Sequence, residues 1–533
     1  MRLAATDKSI MAPAAVRVRA VPGTPWLGLV FALVGTLAAL ALAFDMVFRL
    51  HLSLDDGVSR VANAAYVIFS RDPHLAAIGF IWPPLPSLVD LVILAFTPLF
   101  PPLLSAGFAA NVGSALAFGG TILTMDRTLR RFHVLGVWRF VWLSAFVANP
   151  LLLFYGLNGM SESLLLLCLA LAVDALVNYL QTGHYSPLGL TGLWLAATFL
   201  VGYEAVAIGA GVAVGIALQH VAKRRSREQL DASVIYAMLP LVYIGILWMV
   251  ANWIIMGNPL FFAESKYGNA TQIASGGYYG GQTYLVAGIH SVTGSLFFVG
   301  AHFLLAPIWI ALALWAWLSR RMLIARVLTF IPLSVFLMQF VMTWAGDTAG
   351  WARFFFYVVP GAFWLAGALA NQHRRRWIYG LLGILLLFSS VGTAYVETQT
   401  WVGHGDRGFM LSIWDQKKVY SNAEYAQIAA YLNTLPLPNG PILSDTFNSF
   451  DIVLHSKPMS RMAVTSDLNF ESLLAAPWGR VSYMLVPAPR GTSTQNKIDR
   501  KYPSLYAHGA SWATLVKRWP GWRLYRVSPR VPA

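Results

Sequence analysis

The chain has 533 residues, of which 57% are hydrophobic and only 11% charged, with a formal net charge of +15 and a pI near 9.9. Soluble globular proteins carry about 25% charged residues, so this composition excludes a disordered chain, a fibrous repeat and an ordinary cytosolic enzyme. It points to a bilayer as the natural solvent, and the single cysteine, Cys168, excludes an intramolecular disulfide.

A segment exposed to lipid must satisfy its own backbone, so each spanning run is expected to be a helix of about 20 apolar residues. In chain order, a tail at 1–25 precedes a first span from Trp26 to Phe48. That run is too long for a signal-peptide core and reads as a retained anchor. Ten further spans are expected at roughly 104–125, 134–155, 160–180, 187–202, 204–220, 232–255, 294–318, 327–345, 354–370 and 377–398, about eleven in all. The stretch Trp82 to Leu104 is left out, because it holds Pro83, Pro84, Pro86, Pro98, Pro101, Pro102 and Asp90. Proline inside a helix removes a bond and clashes with the preceding turn, so short interfacial helices are expected here, within a first outer loop at 49–103.

Loops enriched in Lys and Arg face the cytoplasm. With the N-terminus inside, the inner segments carry 17 basic residues: the tail, Arg127/Arg130/Arg131, Lys223/Arg224/Arg225/Arg227, Arg320/Arg321/Arg326 and Arg374/Arg375/Arg376. Four acids accompany them, whereas the outer loops and helix ends hold ten acids and five bases. The expected protein is therefore a polytopic plasma (inner) membrane protein with a cytoplasmic N-terminus and an extracytoplasmic C-terminus. Most of its positive charge is a topology signal, so nothing in the charge requires a nucleic-acid partner.

After the membrane domain at 26–400, the segment 401–533 changes character. Short β-like runs appear at Pro441–Ser444, Val481–Pro487 and Trp522–Val527, with helix-like segments at Asn422–Leu435, Asn469–Ala475 and Ala510–Arg518. Alternating strands and helices predict a small extracytoplasmic α/β domain.

Chemistry is expected on the outer face. The first outer loop carries Leu54-Asp55-Asp56-Gly57-Val58-Ser59-Arg60, then Arg71-Asp72-Pro73-His74, then Ile81-Trp82-Pro83-Pro84-Leu85-Pro86. Adjacent, partly desolvated carboxylates raise each other's pKa toward the range useful to a general base. Arg60 lies one helical turn after Asp56, placed to pair with it or to hold a phosphate. The alternative is that Asp55 and Asp56 merely cap the helix that follows.

Further candidates are Glu162, after Asn158-Gly159-Met160-Ser161, and Glu204, at the tight Gly202-Tyr203-Glu204 tip. Lys266 and Tyr267 lie in a polar segment able to cover a site. Arg353 stands at a helix start, where its charge opposes the dipole and calls for an anionic partner, protein carboxylate or ligand phosphate. A divalent metal on Asp72 and His74 with Asp55 or Asp56 is a weak alternative, since no helical His pair or Cys set accompanies it. A hydrogen-bonding role for His74 is expected, and no cofactor is assigned.

A first span, an outer acidic pair and a Pro-Pro-Leu interfacial segment together resemble the GT-C superfamily. These are multispanning glycosyltransferases of the protein mannosyltransferase and aminoarabinose-transferase type. Asn149-Pro150 followed by Gly159-Met160-Ser161-Glu162, and Gly202-Tyr203-Glu204, are similar to weaker family features. The resemblance implies an inverting transfer from a polyprenyl-phosphate sugar donor to a glycan, lipid or protein acceptor. The base would be Asp56 or Asp55, with Asp56 favoured by its phasing with Arg60. Arg353 or Arg60 would stabilise the leaving phosphate. The competing expectations are a transporter or flippase, which would place its acids near the bilayer midplane, and a non-catalytic scaffold with the same fold.

Overall fold

In the computed structural model, residues 23–268, 271, 291–319, 321–348, 351–373, 375–399 and 423–529 are described. Most of the basic tail, Arg320, Arg374 and Asn422 lie outside them. Among the described residues, eight helices are long and apolar enough to cross a membrane: Trp26–Arg49, Phe108–Arg131, Glu162–Thr182, Ala205–Ala222, Arg227–Met256, Leu323–Ala345, Ala352–His373 and Arg376–Glu397. Two bent pairs bring the number to ten if each counts as one span.

The expected count of eleven is corrected at three places. The run at 134–155 is two helices, Val137–Val147 and Pro150–Leu157, bent by 60°. Asn149 is extended and caps the second through Leu152 N at 3.2 Å, with Pro150 filling the first helical position. The run at 294–318 breaks before Pro307, and its halves meet at 99°. The run at 187–202 is the 15-residue helix Tyr185–Phe199. At 1.5 Å per residue it is about 22 Å long, short of a hydrocarbon core of about 30 Å. As expected, the proline-rich stretch forms only the short helices Leu85–Leu94 and Pro102–Ser105.

The helix Phe108–Arg131 is the centre of the bundle, flanked by the first span, by Pro150–Leu157 and by Glu162–Thr182. From Trp26 to Phe44 the first span buries only small residues: Gly28, Ala32, Gly35, Ala39 and Ala43. Without a hydrophobic driving force in lipid, such stripes let backbones approach closely. A Cβ on Gly35 would lie 2.5 Å from Ile122 Cδ1.

Toward its C-terminal end the central helix carries an ion network. Asp174 holds Arg127 Nε at 2.8 Å, Arg131 Nε at 2.9 Å and Thr128 Oγ1 at 3.0 Å. Asp126 holds Arg130 Nε at 2.9 Å and Arg139 Nε at 3.4 Å.

The C-terminal unit is a three-layer α/β domain. Its strands are β1 (Ile442–Leu443), β2 (Met462–Ala463), β3 (Tyr483–Pro487), β4 (Ala513–Trp519) and β5 (Trp522–Val527), in the order β2-β1-β3-β5-β4. The β1 pairings are parallel and those of β5 antiparallel. Because side chains alternate along a strand, β3 feeds two cores. Tyr483 and Leu485 join Ile442, Trp522 and Leu524 against the helices Ala423–Thr434 and Thr446–His455, in a core continuous with the apolar bundle. Met484 and Val486 join Tyr525 and Val527 against Phe470–Ala475 and Ile498.

The helix expected at Ala510–Arg518 is instead strand β4. Pro520 and Gly521 turn it back onto β5, with Gly521 at φ +74°. A two-residue turn of this kind marks a hairpin, and that signal outweighs the local apolar spacing.

Candidate functional site

The segment after the first span folds into the helix Asp55–Phe69, preceded by extended Leu54, which offers no side-chain cap. The two adjacent acids therefore occupy the first two helical positions, and neither caps the helix by a hydrogen bond at the N-cap position. Successive helical residues point about 100° apart, and the two carboxylates take different surroundings.

Asp56 faces Arg353, whose Nη1 lies 2.6 Å from Asp56 Oδ2 and 3.7 Å from Glu162 Oε1. The same guanidinium stacks on Trp351 at 3.7 Å from the ring centre. Arg353 thus finds the anionic partner expected of it in two protein carboxylates. That charge holds the Asp56 carboxyl below its ordinary value, against burial, which works the other way.

Arg60 does not close on Asp56. Its guanidinium lies 5.5 Å from the centre of the Trp82 ring. Among the described residues it makes no hydrogen bond and no ion pair within 4 Å. Burial pulls its pKa down, opposed by the field of Asp56, Glu162, Tyr203 and Asp90. It is a half-buried cation in an acidic neighbourhood with an open head.

Glu204 shares this end of the bundle. Burial raises its carboxyl and the Arg353 charge lowers it. Its side chain folds back over Gly202, into the space that a Cβ there would take. Neighbouring Tyr203 donates to the Ile81 carbonyl at 3.0 Å and accepts from Trp248 Nε1 at 3.1 Å, tying the proline-rich segment to the bundle.

A close backbone contact sets the position of the acidic turn. A Cβ on Gly57 would sit 2.7 Å from the Gly159 carbonyl oxygen, and Gly159 itself needs φ +81°. The Asn158–Met160 turn is in turn held by the central helix, with Asn111 Nδ2 on the Leu157 carbonyl at 2.7 Å and Ser114 Oγ on the Met160 carbonyl at 2.9 Å. The obstacle to a larger residue 57 is backbone, which cannot rotate away. Gly57→Ala is expected to cost about 1–3 kcal/mol, read as a lower unfolding midpoint of the detergent-purified protein; an unchanged midpoint would refute this contact.

Asp55 faces the C-terminal domain. Its side chain opens onto a cavity of about 320 Å³ whose other walls come from that domain, including Tyr425, Asp451, Arg490 and Trp522. Crowding by protein and the Asp56 charge push its carboxyl up to about 6. Asp451, on the helix Thr446–His455, is pushed up to about 7 by burial and by Asp55, while the Ser53 hydroxyl bonded to it works the other way.

The remaining candidates do not join this group. Asp72 Oδ2 accepts from Leu468 N at 2.9 Å, and Arg71 Nε reaches Asp467 Oδ2 at 3.1 Å. His74 Nδ1 lies 2.7 Å from the Asp72 carbonyl, the hydrogen-bonding role expected. The Tyr267 hydroxyl donates to Asp445 Oδ2 at 2.9 Å, and Lys266 beside it is exposed. Arg71, Asp72 and Tyr267 therefore dock the C-terminal domain. Among the described residues, no three or more His, Cys, Asp or Glu side chains form a group suited to a metal.

Sequence reasoning missed Asp451, Tyr425 and Trp522, since their relation to Asp55 exists only once the two domains pack. The pairing of Asp445 with Thr446-Phe447, an Asx cap with Asp445 Oδ1 2.8 Å from Phe447 N, was the one local sign of a helix start there. Neither the protein-family models nor the curated proteins include a match to this chain.

Proposed function

We propose that the protein is an inverting glycosyltransferase that moves a sugar from a polyprenyl-phosphate donor to an acceptor hydroxyl at the outer face of the plasma (inner) membrane. In this reading the N-terminus is cytoplasmic, the C-terminal domain is extracytoplasmic and membrane lipids surround the bundle. The observation that carries it is Arg60, a half-buried guanidinium over the Trp82 ring with no protein anion closed on it among the described residues. It lies on the helix whose first residue is an open carboxylate of raised pKa. Arg60 follows that carboxylate by five residues, about one and a half helical turns, and phosphate departure and hydroxyl attack require an anion site and a base of this kind.

In the reaction, Asp55 takes the proton of the acceptor hydroxyl as its oxygen attacks the anomeric carbon. The bond from that carbon to the phosphate oxygen breaks, and its electron pair leaves with polyprenyl phosphate. Arg60 stabilises the phosphate. Asp56 keeps Arg353 neutralised beside it, which makes Asp56 the weaker base and Asp55 the stronger one, the reverse of what phasing with Arg60 suggests. The charged groups cluster at the ends of the bundle, which favours this reading over a transporter with acids at the midplane.

Arg60→Ala tests the phosphate site. Binding of polyprenyl phosphate to the purified protein is expected to weaken and transfer to fall by about 10²–10³-fold. Unchanged binding and transfer would exclude Arg60 from the site and leave the reading without its main support.

A further inference from the structure

The cavity at Asp55 is shaped by two domains, and its chemistry is one-sided. Asp55, Glu424, Asp451 and Asn448 present acceptor oxygens, whereas Arg490 is the one cationic side chain lining it among the described residues. Glu424 Oε1 and Asn448 Oδ1 are buried and make no hydrogen bond among the described residues. Buried acceptors of this kind call for donors. The apolar walls include Tyr425 and Trp522, whose rings meet edge to face at 6.5 Å and 89°. A volume of about 320 Å³ lies at the small end of ligand pockets, which run from about 300 to 1,000 Å³.

Flat aromatic walls set among several carboxylates suit a ring that is apolar on its faces and rich in hydroxyl donors at its edge. Three carboxylates against one guanidinium oppose a phosphate or carboxylate on the ligand. The C-terminal domain is net basic over its sequence, with 15 Lys and Arg against eight Asp and Glu, but this cavity is acidic.

We propose that this cavity is the acceptor subsite, that it takes a single neutral or amino-bearing sugar ring, and that it presents the attacking hydroxyl to Asp55. The assignment rests on the glycosyltransferase reading for the word acceptor, while the sugar site itself stands on the cavity. The C-terminal domain then supplies the specificity of the reaction: Trp522 and Tyr425, at right angles to each other, wall one face and one edge of the ring, and Asp451 and Glu424 accept from its hydroxyls.

The test is saturation-transfer NMR on the full-length protein in detergent. The probes are the methyl glycosides of glucose, mannose, galactose and arabinose, together with glucosamine, glucose 6-phosphate and glucuronic acid. At least one neutral or amino sugar is expected to bind, and the two anionic sugars are not. Trp522→Ala and the isosteric Asp451→Asn are each expected to weaken binding by about tenfold or more. Asp451→Asn keeps shape and volume, so it carries the test if Trp522→Ala fails to fold. No sugar binding, a preference for the anionic sugars, or binding undiminished in both variants would overturn the proposal. Polyprenyl phosphate binding is measured in parallel. Lipid binding without sugar binding would sink this subsite alone, and sugar binding without lipid binding would sink the donor reading alone.

Discussion

Asp55→Asn is expected to lower sugar transfer from a polyprenyl-phosphate donor by about 10²–10⁴-fold, the range lost with a general base, while the protein still folds and binds the lipid. The change keeps the shape of the side chain and removes only its ability to take a proton. The pH profile supplies an independent check. The base works as the carboxylate, so activity is present above the Asp55 pKa of about 6 and falls as pH drops through it. If Asp56 were the base, the acid limb would lie far lower, because Arg353 holds that carboxyl below its ordinary value. Full transfer in Asp55→Asn, with loss in Asp56→Asn and a limb near the ordinary carboxylate range or below, would move the role to Asp56.

The second large effect is expected at Arg353. Its side chain is 11% exposed and Glu162 is 13% exposed, whereas Asp56 is 44% exposed. Removing one partner of a buried ion pair costs about 3–5 kcal/mol, because the charge left behind has lost both water and counter-ion. Here Glu162 would carry most of that penalty, since Asp56 can recover solvent. Arg353→Met is therefore expected to destabilise the purified protein by roughly 2–4 kcal/mol, read from thermal or denaturant unfolding in detergent. Adding Glu162→Gln should restore part of the loss by removing the stranded charge, and a double variant no more stable than Arg353→Met would contradict that account. If Arg353→Met unfolds at the parental midpoint, the pair does not hold this end of the bundle together.

The spans were legible because apolar runs of spanning length have few other solutions, and Trp26–Arg49 and Arg376–Glu397 lie where hydropathy places them. The breaks were less legible. Asn149-Pro150 is a good helix start, but inside an apolar run its weight depends on whether a neighbour receives the freed polar groups. Here Ser390 and Thr393 take the Asn149 amide at 3.2 and 3.3 Å from a helix more than 200 residues away. The acidic pair was legible as a pair, and its division was not. Which carboxylate meets Arg353 and which meets the cavity is set by the rotation of the helix, fixed by the Gly57–Gly159 contact. Asp72 and Tyr267 were legible as polar groups on segments between spans, yet their partners Leu468 and Asp445 belong to a domain whose docking no local pattern encodes.

The 24 residues of the central helix make a rod of about 36 Å, gripped near one end by the Asp126 and Asp174 networks and near the other by the bonds from Asn111 and Ser114. The height of the acidic turn is thus a length standard written in protein, not in lipid. A bilayer of different thickness must deform to meet it, at a modest cost per ångström of mismatch. If Arg60 holds a lipid phosphate as proposed, acyl-chain length is expected to control how that phosphate is presented to it, with the geometry of the site unchanged.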